Sequence, residues 1–356
     1  MSIQQGRIDV HHHVIPPAFV ETMHGKGIHK VAGAPLPTWN AEKSIAVMDD
    51  NGIQTAITSL SAPGVHFGDG VAQAVELARR CNEFSAEMGA RYPGRFGSFA
   101  VLPMPFTEAA CAEAIHALDV LKADGVVLLG STDGYFLGNA RFDELMSELD
   151  RRQATVFVHP NLHASSENIG LNMPGFLIEF LCDTTRAAVN LILSGTLEQY
   201  PNIRWILAHA GGFLPFVAGR VAGAEIPGLN AKAPKGVMHY IRRFYFDTAL
   251  SPSRYSMAAL RELVEPTHIL FGSDFPFAPA PITALQCRTL DASDLFAEPT
   301  QYGIARGHAL ELFPHYRLPD ERVTALPVFE NESLSSRVRR AMTGPMASLG
   351  ESMRNR

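Results

Sequence analysis

Short apolar runs alternate along the chain with longer segments in which apolar residues recur every three or four positions. Eight of the runs have the length and the β-branched or aromatic content that are typical of buried strands. These runs are residues 7–13, 54–59, 96–101, 125–129, 155–159, 204–209, 244–247 and 268–272. The alternation therefore predicts a series of strand-then-helix units.

The segments between the runs carry a helical repeat. The clearest are residues 69–88, 108–123, 142–152 and 183–195. Gly195 stands where a glycine would end the last of these helices. Eight β-then-α units predict an α/β protein with the (β/α)8 TIM-barrel fold, formed as one domain by residues 1–320. The alternative is an open doubly wound sheet, which is disfavoured because no glycine-rich phosphate loop follows the first strand.

Three segments depart from this repeat. Residues 161–174 form a long loop after the fifth run, and residues 222–236 form an insertion rich in proline and glycine after the sixth. Residues 321–356 lose periodicity and gain arginines. We interpret them as a C-terminal tail, with packing on a neighbouring subunit as the alternative.

Composition narrows the class of protein. The chain has 356 residues, a net charge of −6 and no basic block in its body, so nucleic-acid binding is not expected. No apolar run approaches the roughly 20 residues of a membrane span, and the N-terminus lacks the apolar region of a signal peptide. The four cysteines are scattered without paired spacing, as in reduced cytoplasmic proteins. We therefore expect a cytoplasmic enzyme.

The first run contains a pair of histidines that can share a face. In a strand, alternate side chains point the same way, so His11 and His13 face together and His12 faces away. If that face looks into the mouth of a barrel, two imidazoles converge on one point. This arrangement is typical of a metal-binding pair.

Three later runs also end on a polar residue. His159 closes the fifth run, His209 closes the sixth and Asp274 follows the eighth. Each alone could be a hydrogen-bonded core residue, but the carboxyl ends of barrel strands form the catalytic face. Imidazoles with a carboxylate suit one divalent ion, Zn²⁺ first, with Mn²⁺ or Mg²⁺ as alternatives. The fourth run offers no lysine that could bridge two metals, so we expect one ion.

Taken in order, the motifs D-x-H-x-H, V-H-P, H-A-G-G and G-S-D-x-P resemble those of the amidohydrolase-related decarboxylases, which include aminocarboxymuconate semialdehyde and γ-resorcylate decarboxylases. The resemblance spans residues 7–319. It implies that His11, His13, His159 and Asp274 bind the metal and that His209 is catalytic. The proton donor is then Asp274, or His209 directly or through a metal-bound water. Residues 184–189, 244–251 and 270–276 are similar to members of this family that act on 6-methylsalicylate.

The resemblance also suggests substrate contacts. Arg220 lies eleven residues after His209, where relatives place an arginine that binds the substrate carboxylate across a dimer interface. A surface charge is the alternative for Arg220. A second substrate arginine of those relatives has no counterpart in residues 31–40, which favours a simpler and more apolar substrate. Phe213, Phe275, Phe277 and Trp39 could line its pocket, and His66 and His163 are candidate polar contacts.

These inferences predict a metal-dependent, non-oxidative decarboxylase that converts a small salicylate-type acid, such as 6-methylsalicylate, to a phenol and CO₂. They also predict a homodimer or a higher homo-oligomer. The main alternative is hydrolysis of a lactone, amide or ester, because the same metal and histidines could activate water. A non-catalytic metal-binding or ligand-binding protein on a barrel scaffold is a further alternative.

Overall fold

The computed structural model describes residues 6–170, 172–223, 231–319 and 321. Eight parallel strands form one sheet in which every strand lies beside its neighbour in chain order. The strands are β1 (Arg7–His13), β2 (Ile53–Ser59), β3 (Phe96–Val101), β4 (Gly125–Leu129), β5 (Thr155–His159), β6 (Arg204–Leu207), β7 (Tyr245–Asp247) and β8 (Ile269–Leu270).

The first strand and the segment after the last strand close the sheet. Val10 donates its backbone N–H to the carbonyl of Phe271 at 3.0 Å, and His13 donates to the carbonyl of Phe275 at 2.7 Å. A parallel bridge also joins His12 and Phe275. The predicted (β/α)8 barrel is therefore confirmed.

Helices follow the strands and cover the outside of the sheet. They are α1 (Pro17–Gly25), α2 (Ala41–Asp50), α3 (Val71–Arg91), α4 (Thr107–Asp119), α5 (Asp143–Arg151), α6 (Glu179–Leu193), α7 (Thr196–Gln199), α8 (Leu214–Ala222), α9 (Val237–Ile241), α10 (Arg254–Leu263), α11 (Ala280–Asp291), α12 (Glu298–Tyr302) and α13 (Ala309–Leu312). Gly195 follows α6 with a φ of 90°, a backbone conformation that suits glycine at a helix end. The four predicted helices are confirmed with shifted boundaries.

Two predicted strands are too long. The sixth ends at Leu207, because the N–H of His209 is bonded to the carboxylate of Asp247 instead of to a neighbouring strand. The eighth ends at Leu270, and Gly272 donates its N–H to the hydroxyl of Thr248. Side-chain acceptors thus replace the sheet ladder where these strands reach the barrel mouth.

Aromatic side chains fill the barrel below its mouth. The rings of Phe99 and Phe157 stack with centroids 5.5 Å apart, and Phe157 lies 4.9 Å from the ring of His11. Phe157 is fully buried. The polar groups at the mouth of the barrel therefore pack against apolar side chains. This apolar surrounding lowers the local dielectric constant and strengthens the electrostatic interactions of the polar groups.

The irregular segments are described only in part. The loop after β5 forms two short 3-10 turns, Ala164–Asn168 and Gly175–Leu177. Residues 224–230 of the predicted insertion at 222–236 and residues 322–356 of the predicted tail at 321–356 lie outside the described residues. At the edge of the tail, Glu321 accepts hydrogen bonds from the buried guanidinium of Arg306 at 2.6 and 2.7 Å. Among the described residues, no helix combines the length and the apolar character needed to cross a membrane.

Candidate metal centre

The structure brings the four predicted metal ligands together at the carboxyl ends of the strands. Each of His11, His13, His159 and Asp274 offers one ligand atom, and these atoms all lie within 4.8 Å of one another. His13 Nε2 is 3.2 Å from His11 Nε2 and 2.9 Å from Asp274 Oδ1. All four residues are buried. The sequence prediction of a compact His-His-His-Asp metal site is confirmed.

Backbone carbonyls orient two of the imidazoles. His13 Nδ1 lies 3.1 Å from the carbonyl oxygen of Ser59, and His159 Nδ1 lies 2.8 Å from that of Pro160. A carbonyl can only accept a hydrogen bond, so both Nδ1 atoms carry the proton. In the neutral rings the Nε2 atoms therefore present lone pairs to the centre, which is the tautomer that binds a metal.

A carboxylate orients the third imidazole. His11 Nδ1 lies 2.7 Å from Asp247 Oδ2, and both side chains are fully buried. The other oxygen of Asp247 accepts the backbone N–H groups of His209 and Ala249 at 3.0 and 2.9 Å. Asp247 therefore fixes the ring of His11 and the backbone of His209 at the same time. Carboxylates in this position beside a ligating histidine make the ligand more basic.

The donor set fits a divalent cation. The Nε2 atoms of His11 and His13 are 3.2 Å apart. When both neutral rings carry their proton on Nδ1, two lone pairs face each other across this distance, and they repel unless a cation lies between them. Two nitrogens at that distance subtend about 100° at an ion ~2.0–2.1 Å from each, close to a tetrahedral angle. Three imidazoles and one carboxylate are a donor set typical of Zn²⁺ and similar ions.

The pKa values of the four residues indicate how charge is balanced in the absence of a metal. Burial lowers the pKa of His11, but the carboxylates of Asp247 and Asp274 outweigh it and raise the pKa to about 10. Burial lowers the pKa of His13 and takes the pKa of His159 well below its usual value. Although burial opposes it, hydrogen bonds from the surrounding histidines hold the pKa of Asp274 well below its usual range. In the metal-free protein, one positive charge on His11 therefore accompanies the negative charge on Asp274.

A second buried network supports β1 from behind. His12 Nδ1 lies 3.0 Å from Asp9 Oδ2, and His12 Nε2 lies 2.8 Å from Ser44 Oγ. Asp9 also accepts hydrogen bonds from the hydroxyl of Ser273 at 2.5 Å and from the N–H of His11 at 3.1 Å. As predicted, His12 faces away from the metal ligands. These groups tie β1 to the segment that carries Asp274.

His209 lies beside the ligands and approaches Asp274. Its Nε2 is 3.8 Å from Asp274 Oδ2, and its Nδ1 is buried without a hydrogen-bond partner among the described residues. Both residues have positive φ, 55° for His209 and 63° for Asp274. Such backbone strain persists only where surrounding contacts enforce it, and it is common at functional sites. His209 is thus placed for chemistry with Asp274.

A buried carboxylate also braces the backbone beyond His159. Asp183 accepts hydrogen bonds from the hydroxyl of Ser131 at 2.5 Å and from the N–H of Asn161 at 2.9 Å. The side-chain amide of Asn161 donates to the carbonyl of Ser131 at 3.0 Å. Burial raises the pKa of Asp183 to about 6. Asp183 therefore joins the ends of β4 and β5 just outside the metal site.

Two of the aromatic residues predicted to line the pocket, Phe275 and Trp39, lie behind the site. The ring of Phe275 packs 5.2 Å from the ring of His12, the histidine that faces away from the ligands. Trp39 donates its indole N–H to Ser44 Oγ, which lies in the same network. Phe277, in contrast, lies 5.3 Å from the ring of His13 on the ligand side. A substrate role for Phe275 or Trp39 stays a prediction, and Phe277 has the more direct position.

Two of the predicted substrate contacts, His163 and Arg220, lie farther out. His163 stacks on Phe136 with ring centroids 5.0 Å apart, and its Nδ1 lies 2.8 Å from Ser165 Oγ. Arg220 is exposed in the last turn of α8. Neither residue is brought into the cluster of metal ligands in this single chain. Their roles in substrate binding remain predictions.

Comparison with known proteins agrees with this geometry. The model of the Amidohydrolase family matches residues 8–315, nearly the whole barrel. The chain belongs to this family. The match includes all four residues of the metal site and His209.

Curated relatives of this amidohydrolase are decarboxylases. The chain is 37% identical over 317 residues to a 6-methylsalicylic acid decarboxylase of Penicillium expansum, covering 87% of this chain and 97% of the relative. It is 38% identical over 327 residues to the decarboxylase yanB of Aspergillus niger, covering 88% and 89%. The predicted likeness to decarboxylases of aromatic acids is confirmed.

Solved structures share the fold. A structure of an amidohydrolase II superposes with a TM-score of 0.82 at 31% identity, covering 87% of this chain and all of the other. A dihydroxybenzoic acid decarboxylase from Polaromonas, solved with manganese and 2-nitroresorcinol, gives a TM-score of 0.76 at 23% identity, covering 88% and 98%. At the latter identity the likeness concerns the fold.

Sequence reasoning overlooked the role of Asp247. The residue ends β7 at the catalytic face, as His159 ends β5. A carboxylate at the end of a barrel strand is the signal that could have identified it. The spacing along the chain could not show that it contacts His11, which precedes it by 236 residues.

Proposed function

We propose that this amidohydrolase is a metal-dependent, non-oxidative decarboxylase that converts a small salicylate-type acid to a phenol and CO₂. The observation that carries the proposal is the position of His209. Its Nε2 lies 3.8 Å from the free carboxylate oxygen of Asp274, at the edge of a buried His-His-His-Asp site. The identity of 37% to a 6-methylsalicylic acid decarboxylase makes 6-methylsalicylate the first candidate substrate.

His11, His13, His159 and Asp274 would hold one divalent ion. When bound, the ion supplies Lewis acidity and a template for adjacent carboxylate and phenolate oxygens. We propose Zn²⁺ as the ion. Mn²⁺ is the alternative, because manganese is bound in the Polaromonas decarboxylase structure. Metal analysis of the purified protein distinguishes the two.

The residues of this chain would then move one proton. Loss of CO₂ requires protonation of the ring carbon that bears the carboxylate, and the electrons of the broken carbon–carbon bond return to the ring. The donor must lie within hydrogen-bond reach of that carbon. Asp274 and His209 form the candidate pair, because Asp274 Oδ1 contacts His13 whereas Oδ2 faces His209. The buried position of both side chains also limits competing attack by water.

We propose that a second copy of the chain completes the substrate site. Arg220 is exposed on α8, and Phe216, one turn earlier on the same helix, is 71% exposed. An exposed phenylalanine beside an arginine is typical of an interface between subunits. Arg220 would then bind the substrate carboxylate of the neighbouring subunit. Sedimentation of the wild-type protein and of Phe216→Ser tests the assembly, and Arg220→Ala tests the contact by a rise in KM.

We also propose that the enzyme works in the cytoplasm. All four cysteines are free in the structure, and Cys81, Cys111 and Cys287 are buried. Burial raises the pKa of Cys81 to about 12, so this thiol is unreactive. Fractionation of the cells that make the protein tests the location.

The decisive experiment for the reaction is product analysis. Purified protein of known metal content is incubated with 6-methylsalicylate and other 2-hydroxybenzoates, and the phenol is detected by chromatography. Phenol formation that a chelator abolishes supports decarboxylation. If the metal-loaded protein leaves every acid intact but opens lactones, esters or amides, hydrolysis replaces decarboxylation as the function.

A further inference from the structure

A single peptide group connects a buried carboxylate of α6 to the metal ligand His159. Asp183 Oδ2 accepts the backbone N–H of Asn161 at 2.9 Å. The carbonyl of that same peptide group belongs to Pro160, and it accepts the Nδ1–H of His159 at 2.8 Å. The proton on Nδ1 leaves the Nε2 lone pair of the ring for the metal. Two hydrogen bonds and one peptide group therefore link Asp183 to the ring of a metal ligand.

Contacts on several sides fix this link. Asp183 is 1% exposed, and its Oδ1 accepts the hydroxyl of Ser131 at 2.5 Å. Its Oδ2 packs against Gly130, where an added Cβ would lie 2.4 Å away. The N–H of Gly130 donates to the carbonyl of His159 at 2.8 Å. Both peptide groups that follow His159 are thus held by hydrogen bonds.

A carboxylate in this position acts on the imidazole through the peptide group. Hydrogen bonds in a chain polarise one another, so a negative acceptor at the peptide N–H makes the carbonyl of Pro160 a stronger acceptor. A stronger acceptor at Nδ1–H makes Nε2 a better metal ligand. His11 has a carboxylate, that of Asp247, directly at its Nδ1. For His159 the same kind of group lies one peptide group farther away.

The hydrogen bonds of Asp183 do not require its charge. An asparagine of the same shape would accept the N–H of Asn161 through its carbonyl oxygen and donate its amide to the hydroxyl oxygen of Ser131. Burial raises the pKa of Asp183 to about 6, so at about pH 8 the carboxylate is charged at a cost to folding stability. A buried charge that lowers stability is more typical of a functional site than of a structural contact.

We propose that Asp183 is a positioning residue of the metal site, which orients the ring of His159 and strengthens its bond to the metal through the Pro160–Asn161 peptide group. Asp183 itself is not among the residues that offer a ligand atom. The proposal rests on the metal binding of the proposed function and not on the reaction that the metal supports.

Asp183→Asn removes the charge and keeps the hydrogen bonds. Zn²⁺ affinity is measured by titration of the metal-free protein against a competing chelator at about pH 8, where the wild-type carboxylate is charged. We expect affinity to fall about three- to tenfold, less than the ~10–100-fold effect of a partner in direct contact. The metal-free variant should unfold at the same or a higher temperature, because a buried charge is removed. A merely structural role would lower affinity and stability together.

Ser131→Ala is the matched control. It removes the other hydrogen bond of the same carboxylate and leaves the contact with the N–H of Asn161 in place. We expect it to lower the unfolding temperature and to leave Zn²⁺ affinity unchanged, because the charge and the contact with the peptide group remain.

A spectrum of the Co²⁺-loaded protein shows which ligand changes. The exchangeable N–H proton of each ligating imidazole gives its own NMR signal, shifted by the cobalt ion. His11, His13 and His159 should therefore give three such signals. Asp183→Asn should move the signal of His159 and leave those of His11 and His13 in place.

Weaker Zn²⁺ binding with undiminished stability and one moved signal supports the proposal. It is overturned if folded Asp183→Asn binds Zn²⁺ as tightly as the wild type, if its stability falls with its affinity, or if Ser131→Ala loses as much affinity. It is also overturned if all three signals move or none does. If the wild type binds Zn²⁺ but releases no CO₂ from any 2-hydroxybenzoate, the decarboxylase function alone is wrong. If the wild type binds neither Zn²⁺ nor Co²⁺, both proposals are overturned.

Discussion

The hydrogen bond between Asp247 and His11 gives a sharp test of how the metal site is built. Asp247 Oδ2 lies 2.7 Å from His11 Nδ1, while Oδ1 accepts two backbone N–H groups at 3.0 and 2.9 Å. In Asp247→Asn the amide oxygen can keep the two backbone contacts. The amide nitrogen then faces His11 Nδ1 and donates to it. This contact favours the tautomer of His11 that carries its proton on Nε2, which cannot bind a metal.

We expect this variant to fold and to bind the metal roughly 10- to 100-fold more weakly, the usual effect of losing an orienting carboxylate. This corresponds to about 1.4–2.8 kcal/mol. Affinity is measured by titration of the metal-free protein in the presence of a competing chelator. Turnover at saturating metal then separates weaker binding from damage to the chemistry.

Asp9→Asn is the matched control. Asp9 is also a buried carboxylate that contacts a histidine of β1, but that histidine is His12, which faces away from the site. We expect Asp9→Asn to lower the unfolding temperature and to leave metal affinity within about threefold. The reasoning about the tautomer is refuted if a folded Asp247→Asn binds metal as tightly as the wild type, or if Asp9→Asn loses as much affinity.

Three further predictions concern the proposed catalytic pair, His209 and Asp274, and the buried carboxylate of Asp183. His209→Asn should retain stoichiometric metal and lose at least ~100-fold in kcat, whereas Asp274→Asn should lose both its metal and its activity. Metal content is measured by elemental analysis, and equal metal loss in the two variants would contradict this division of roles. Gly130→Ala should lower the free energy of unfolding by about 1–3 kcal/mol, because the added Cβ would lie 2.4 Å from Asp183 Oδ2. Gly25→Ala, which adds a Cβ where nothing lies within 4 Å, should be nearly neutral. Denaturant titration of the two variants measures the difference. Burial raises the pKa of Asp183 to about 6, above the ~4 of an aspartate in an unfolded chain. As pH rises from ~4 to ~6, the unfolded state therefore loses this proton before the folded state does. The free energy of unfolding should fall by on the order of 2 kcal/mol over this range. Asp183→Asn should lack this pH-dependent loss of stability. If the curves of unfolding free energy against pH are parallel for the wild type and Asp183→Asn, the assignment of the loss to Asp183 is refuted.

The sequence was sufficient for the barrel and for the four ligands, for a physical reason. A strand places alternate side chains on one face, so His11 and His13 had to point together. The parallel strands of a barrel end on one face, so His159 and Asp274 had to approach them. These consequences depend only on the alternation of side chains along a strand and on the order of the strands in the chain.

The remaining features depend on contacts between distant residues, which the alternation of side chains along a strand does not predict. Phe275 follows the last strand, where the regular alternation ends, and it faces His12 instead of the ligands. Asp247 contacts a residue 236 positions away, and the N–H of His209 leaves the sheet to reach it. The proposed contact of Arg220 with a second chain would involve an assembly that a single chain does not contain.

The most direct test of the central claim is product analysis with metal-loaded protein and 6-methylsalicylate. We expect the corresponding phenol and an equal amount of CO₂, with loss of both after chelation and recovery of both when the metal is restored. If the protein binds one metal per chain and yet releases no CO₂ from 6-methylsalicylate or from any related 2-hydroxybenzoate, the decarboxylase function is contradicted.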